Sequence, residues 1–206
     1  MNRGGEHVAA PSYDWLDSMI WSVGIASVLI GVIGLKYKVS RGVPDGGVQE
    51  FTAFGVILLI IGVFLFVSGL AIGIMWPFPM SGGVYNVLFS GASALGGIML
   101  ISIAYGLLRQ VDFRPISYAA LFFGVYLLVA AYSIASYRLT RTPEFSTLIF
   151  ALLGITSILS LPAVHVRNPW ILRIFGVLAI VTGLLWMFEG AMATYGHTAP
   201  PPKTTT

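Results

Sequence analysis

Six apolar runs, each long enough to cross a bilayer and joined by short connections, limit what this chain can fold into more than any motif it carries. They lie near Trp15 to Leu35, Thr52 to Met75, Asn86 to Leu108, Pro115 to Ser136, Phe145 to Leu161 and Trp170 to Tyr195. A helix rises about 1.5 Å per residue, so about 20 apolar residues cross the roughly 30 Å hydrocarbon core. Lipid offers backbone amides no partner, so each run must close its hydrogen bonds internally. The expectation is an all-α polytopic membrane protein: a six-transmembrane-helix bundle over 15–195, between tails 1–14 and 196–206. Composition agrees, because only 9% of the 206 residues are charged against about 25% in soluble proteins.

Lys and Arg set the expected orientation, since translocating positive charge is disfavoured. Lys36, Lys38, Arg41, Arg109, Arg114, Arg167 and Arg173 fall on one side, and Arg3, Arg138, Arg141 and Lys203 on the other. Both termini are therefore expected outside. The net charge of +3 then records topology, with a contribution from anionic lipid, and gives no nucleic-acid signal. The first run is expected to stay in the mature protein: Glu6, Asp14 and Asp17 outnumber Arg3 around its start, and it is too long for a signal h-region. The absence of cysteine excludes disulfides, thiolate metal sites, thiol catalysis and palmitoylation. The ending "HTAPPPKTTT" is too rich in Pro and Thr to build a packed element.

The tripeptide Phe-Gly-Val recurs at Phe54, Phe123 and Phe175, once in each even-numbered run. Residues 54 to 69 align with 175 to 190, pairing Gly55 with Gly176, Gly62 with Gly183, Gly69 with Gly190 and Ser68 with Glu189. The odd runs carry "GIASVL" at 24, "SGASAL" at 90 and "GITSIL" at 154, each with serine fourth. Two readings stand. Three helical hairpins of common descent, all running the same way, would give this pattern; so would small residues crowding apolar helices, where they let backbones approach.

Glu189 is the one acid deep in an apolar run, and such a group is by default a functional candidate. It lies about 9 Å below Tyr195 along the helix, within reach of the outer interface. A structural role paired with Arg138 or Arg141, or a substrate, proton or metal site, would each account for it. Asp14 and Asp17 have the Asp-x-x-Asp spacing of a helix start, where capping and the helix dipole favour carboxylates. His7, His165 and His197 all fall outside mid-membrane, which argues against haem, and no cofactor or metal site is expected beyond structural lipid. The connection "MWPFPMSGGVYN" holds Trp76, Pro77, Phe78 and Pro79 ahead of Tyr85 and Asn86 and carries no charge. It reads as an interfacial aromatic belt, or as a lid or docking surface over the bundle mouth.

The Trp-Pro-Phe-Pro stretch at 76 to 79 followed by Tyr85 and Asn86, "TRTPEF" at 140 to 145, and "EGAMATYGH" at 189 to 197 resemble a prokaryotic, largely archaeal and actinobacterial family of polytopic membrane proteins known as a domain of unknown function. The resemblance runs from about Trp15 to His197. It implies a prokaryotic cell membrane and a six-span fold, and it supplies no catalytic residues.

The leading functional expectation is a non-catalytic membrane subunit, self-associating or accessory to a larger respiratory or transport complex, because no loop is large and no cofactor ligands are recognised. The alternative is a small transporter or channel with a pathway near Glu189, Asn86 and Arg138. A third reading, a membrane-embedded enzyme using Glu189 and His197 as acid and base, needs the last helix to break near Gly196.

Overall fold

The computed structural model describes residues 15–36, 38–40, 43–45, 48–78, 83–166 and 168–198. Six helices account for almost all of them: α1 (Leu16–Lys36), α2 (Val48–Met75), α3 (Gly83–Arg109), α4 (Arg114–Tyr137), α5 (Pro143–His165) and α6 (Pro169–Thr198). All six are long and apolar enough to cross a membrane. Between α1 and α2, strands β1 (Lys38–Ser40) and β2 (Val43–Asp45) pair antiparallel, Val39 opposite Pro44. The apolar-run argument is blind to this small hairpin, because it lies in the connection between runs.

The helix ends follow local chemistry. Prolines stand in the first turns of α4 and α5 and at the start of α6, where a missing N–H costs nothing. Asn168 Oδ1 accepts the Trp170 N–H at 2.9 Å to open α6. Trp76, Gln110 and Arg138 terminate α2, α3 and α4 with φ of 48°, 52° and 52°. These left-handed stops are made without glycine, at a cost of about 1–2 kcal/mol each. For Trp76 the next residue is Pro77, which restricts its backbone further.

Each helix is apolar all round, so side-chain size decides which face turns inward. Ile60, Ile74, Phe122 and Val129 point outward and are well exposed, as side chains facing lipid would be. The inward faces carry glycine. α1 packs most extensively on α6, α2 on α3 and α4 on α5, each pair antiparallel. The crossings are nearly superimposable in chemistry. A Cβ on Gly24 would lie 2.9 Å from Gly183 O, one on Gly97 2.7 Å from Gly62 O, and one on Gly154 2.9 Å from Gly124 O. Only glycine permits that approach.

The repeat is therefore present as three helix pairs, but the pairs differ from consecutive hairpins beginning at α1. α1–α2, α3–α4 and α5–α6 touch lightly, whereas the tight pairs are α2–α3, α4–α5 and α6–α1. The register also shifts. Gly62, Gly124 and Gly183 are equivalent, so the Phe-Gly-Val at 123 lies one heptad out of step with those at 54 and 175. On the odd helices Gly24, Gly97 and Gly154 correspond, and "SGASAL" is likewise one heptad early. Sequence matching aligned what was identical; packing aligns what must be small.

Light contacts link α1 to α2, α3 to α4 and α5 to α6, so the helices close into a ring in chain order. The start of α1, the end of α6, the end of α2 with the start of α3, and the α4–α5 connection lie at one end, the terminal face. The other three connections form the basic face.

Candidate functional site

At the terminal face the expected polar cluster separates into independent groups. Asn86 is fully buried and clamps the Trp-Pro-Phe segment: its Nδ2 donates to Phe78 O at 3.0 Å and its Oδ1 accepts the Phe78 N–H at 3.2 Å. Trp76 is exposed and Pro77 lies beside it; Pro79 falls outside the described residues. Asp17, in the first turn of α1, lies 2.9 Å from His197 Nδ1 and ties the two ends of the chain together. Trp21 Nε1 donates to Thr194 Oγ1 at 3.4 Å one turn further in. Asp14 and His7 fall outside the described residues.

Arg138 pairs with Glu144 at 2.8 Å rather than with Glu189, both side chains well exposed, and Arg141 is exposed beside them. Glu189 is half-buried and takes no hydrogen bond or ion pair among the described residues. The expected buried partner is thus absent from its surroundings. α6 also runs unbroken through Gly196 to Thr198, which keeps Glu189 and His197 about 12 Å apart along the axis. The acid–base pair is not assembled. At the basic face Arg114 Nε donates to Asp112 Oδ2 at 2.7 Å, and this guanidinium holds the Asp112 carboxyl below the usual carboxylate range.

Tyr85 leads inward. Phe78 meets Tyr85 edge-on with ring centroids 5.9 Å apart, Tyr85 stacks on Phe89 at 5.8 Å, Phe89 approaches Phe150 at 6.3 Å, and Phe150 approaches Trp186 at 5.1 Å. Edge and offset contacts at these separations are favourable, about 0.5–1.5 kcal/mol per pair beyond burial. Trp186 is fixed further by its Nε1–H, 3.3 Å from Ile149 O.

Phe89, Phe150 and Trp186 form one wall of a cavity of about 130 Å³ between the three pairs. All six helices contribute, so it lies on the bundle axis. Its wall is aliphatic and aromatic except for hydroxyls: Ser27, Ser93, Thr156, Ser157 and Ser160. A second cavity of about 100 Å³ continues toward the basic face. The two share Ile30, Ile103, Ala120, Ser160 and Phe175, one residue from each of α1, α3, α4, α5 and α6, so these side chains stand between the two spaces. Among the described residues no charged side chain lines either space, and no group of three or more His, Asp or Glu could hold a metal.

The cavity uses none of the candidate residues read from the sequence. Three lie beside it: Asp17 follows the lining residue Leu16, Tyr85 stacks on the lining residue Phe89, and Glu189 stands one turn from Trp186 toward the terminal face. Yet a signal existed. Ser27, Ser93 and Ser157, the fourth-place serines of the odd-run motifs, all reach the cavity, as do Phe123 and Phe175 of the Phe-Gly-Val copies.

A family model described as "Protein of unknown function (DUF981)" matches residues 10–200. No curated protein matches the chain in sequence. Among solved structures, the cryo-EM structure of the Helicobacter pylori urea channel in a closed state is similar, with a TM-score of 0.71 at 17% identity over 89% of this chain and 100% of that one. At that identity the likeness is one of fold: a six-helix, multi-pass membrane protein.

Proposed function

The chain belongs to the DUF981 family, whose description assigns no activity, and from the space its helices enclose we propose that it is a passive channel for a small uncharged solute. The observation that carries this reading is the pair of adjacent axial cavities, which share five lining residues and are lined by apolar groups and hydroxyls without a charge. An ion stripped of water in such a space would face an uncompensated desolvation cost of several kcal/mol. A neutral polar molecule can exchange its water hydrogen bonds for those hydroxyls at little net cost. Likeness in fold to a urea channel makes urea the first solute to test.

The expectation of an accessory subunit rested on short loops, the absence of recognised cofactor ligands and small residues suited to helix association; the cavity and the likeness in fold to a channel give the channel reading the stronger support. The pathway runs along the bundle axis, with Glu189 near its mouth rather than within it. In this reading the terminal face lies outside the cell, as the Lys and Arg distribution indicates.

The test is stopped-flow light scattering of proteoliposomes given urea, acetamide and glycerol gradients, with ion flux followed in parallel. Solute entry faster than in protein-free liposomes, without sodium or potassium flux, is expected. Equal rates for all three solutes with and without protein overturn the reading.

A further inference from the structure

The hydroxyls of the axial cavity differ in what they have left to offer. Ser27 Oγ donates to Ala179 O at 2.8 Å, Ser157 Oγ to Leu153 O at 2.9 Å and Ser160 Oγ to the Ser157 carbonyl at 2.6 Å. Thr156 Oγ1 donates to Leu152 O at 2.7 Å. Each of these protons is committed to a backbone carbonyl, and a hydroxyl has only one. What remains toward the cavity is lone pairs, so this part of the wall accepts hydrogen bonds and does not donate them.

Ser93 stands apart. It is 7% exposed, lines the same cavity, and has no hydrogen-bond partner among the described residues. The one side-chain oxygen both sealed from water and unpartnered among the described residues is Thr147 Oγ1, so the Ser93 oxygen opens onto the cavity, with its proton and lone pairs free for whatever occupies that space. Along the helices it lies roughly 10 Å nearer the terminal face than Ser27 and Ser157, taking Gly97, Gly24 and Gly154 as level. A solute moving inward would meet first a hydroxyl free to donate and accept, then a surface of acceptors.

Building on the channel reading, we propose that the axial cavity is a binding site selective for compact neutral solutes rich in N–H donors, the carboxamide and urea class, with Ser93 as the first contact and Ser27 and Ser157 as the acceptors that follow. A carbonyl oxygen on the solute accepts a hydrogen bond from the Ser93 hydroxyl; its NH2 groups then donate to the lone pairs beyond. Solutes of similar size with acceptors but no donors leave those lone pairs unmatched and gain nothing past Ser93. The aromatic wall of Phe89, Phe150 and Trp186 gives a flat solute a face to slide along.

The experiment compares acetamide with dimethyl sulfoxide, which has an acceptor but no donor, in proteoliposomes of the wild-type chain, Ser93→Ala and the double variant Ser27→Ala/Ser157→Ala. Protein-free liposome rates are subtracted. Because Ser93 bonds to nothing described, its replacement breaks no internal hydrogen bond, and monodispersity with an unchanged melting temperature checks that the fold is kept. The wild-type chain is expected to favour acetamide, with that preference falling about three- to tenfold in the double variant. Ser93→Ala is expected to slow acetamide by about the same factor. Flux of both solutes with no preference, or a preference unchanged in both variants, overturns this selectivity and leaves the channel reading standing. No protein-dependent flux of either, nor of urea or glycerol, overturns both.

Discussion

Replacing Gly97 with alanine adds one methyl group at the tightest point of the α2–α3 crossing. Its Cβ would sit 2.5 Å from Phe66 N and 2.7 Å from Gly62 O, both backbone atoms that cannot rotate aside. Carbon contacts are comfortable at about 3.5–4.0 Å, so the helices must part by about 1 Å. A gap of that size forfeits a quarter to a half of each neighbouring dispersion contact. Overpacking of this kind costs about 1–3 kcal/mol, against which the better helix propensity of alanine returns up to about 1 kcal/mol. The net expectation is a loss of about 1–2 kcal/mol. Gly196 is the matched control, because a Cβ there meets nothing within 4 Å. Gly196→Ala should leave stability unchanged or raise it by up to about 1 kcal/mol. Unfolding in mixed micelles of increasing dodecyl sulfate fraction, followed by tryptophan fluorescence, reads both. Equal midpoints for the two variants would mean that the backbones do not meet at Gly97, and the glycine-seam argument would fail.

Asn86→Leu removes both bonds to the Phe78 backbone, so amide exchange at Phe78 should speed up while the helices stay protected, with a stability loss of about 1–3 kcal/mol; unchanged exchange at Phe78 would show that Asn86 does not hold the loop. The Asp112 carboxyl is held low first by the side-chain hydrogen bond from Arg114 and then by the Arg114 backbone N–H, so its stabilisation is present above the unfolded value of about 3.9 and is lost as pH falls through the lower folded value. Asp112→Asn should therefore melt earlier than the wild type near neutral pH, with the difference closing below about pH 4; a difference independent of pH would contradict the pairing.

Span number and span boundaries were legible because lipid imposes one rule, length of apolar run, that a sequence states openly. Helix pairing was not, because a glycine that meets a partner and a glycine that faces lipid look identical in one chain. Gly24 finds Gly183 across nearly the whole sequence, and no local pattern says so. The candidate residues fall outside the cavity for a related reason. Charge draws attention in an apolar chain, so Glu189, Asp17, Arg138 and His197 stood out, and two of the four prove to be one tie between chain ends. The cavity is built from aliphatic and aromatic side chains with four serines and one threonine among them, whose roles depend on which way each helix is turned. Ser27 and Ser157 were visible as a repeat but not as a lining.

The α6–α1 pair has a consequence for the order in which the protein is made. Ser27 and the Ala179 carbonyl it bonds are 152 residues apart. At about 5–20 residues per second of synthesis, α1 waits about 8–30 s after insertion for the helix that covers Gly24 and Gly31. α2 and α4 wait only for the next helix to emerge. Until the last span arrives, the first presents a bare glycine face to lipid or to whatever stands beside the site of insertion. The closing step of assembly is then the seating of α6 into a groove left open from the start, and truncations that spare every other helix should leave α1 as the element most open to degradation.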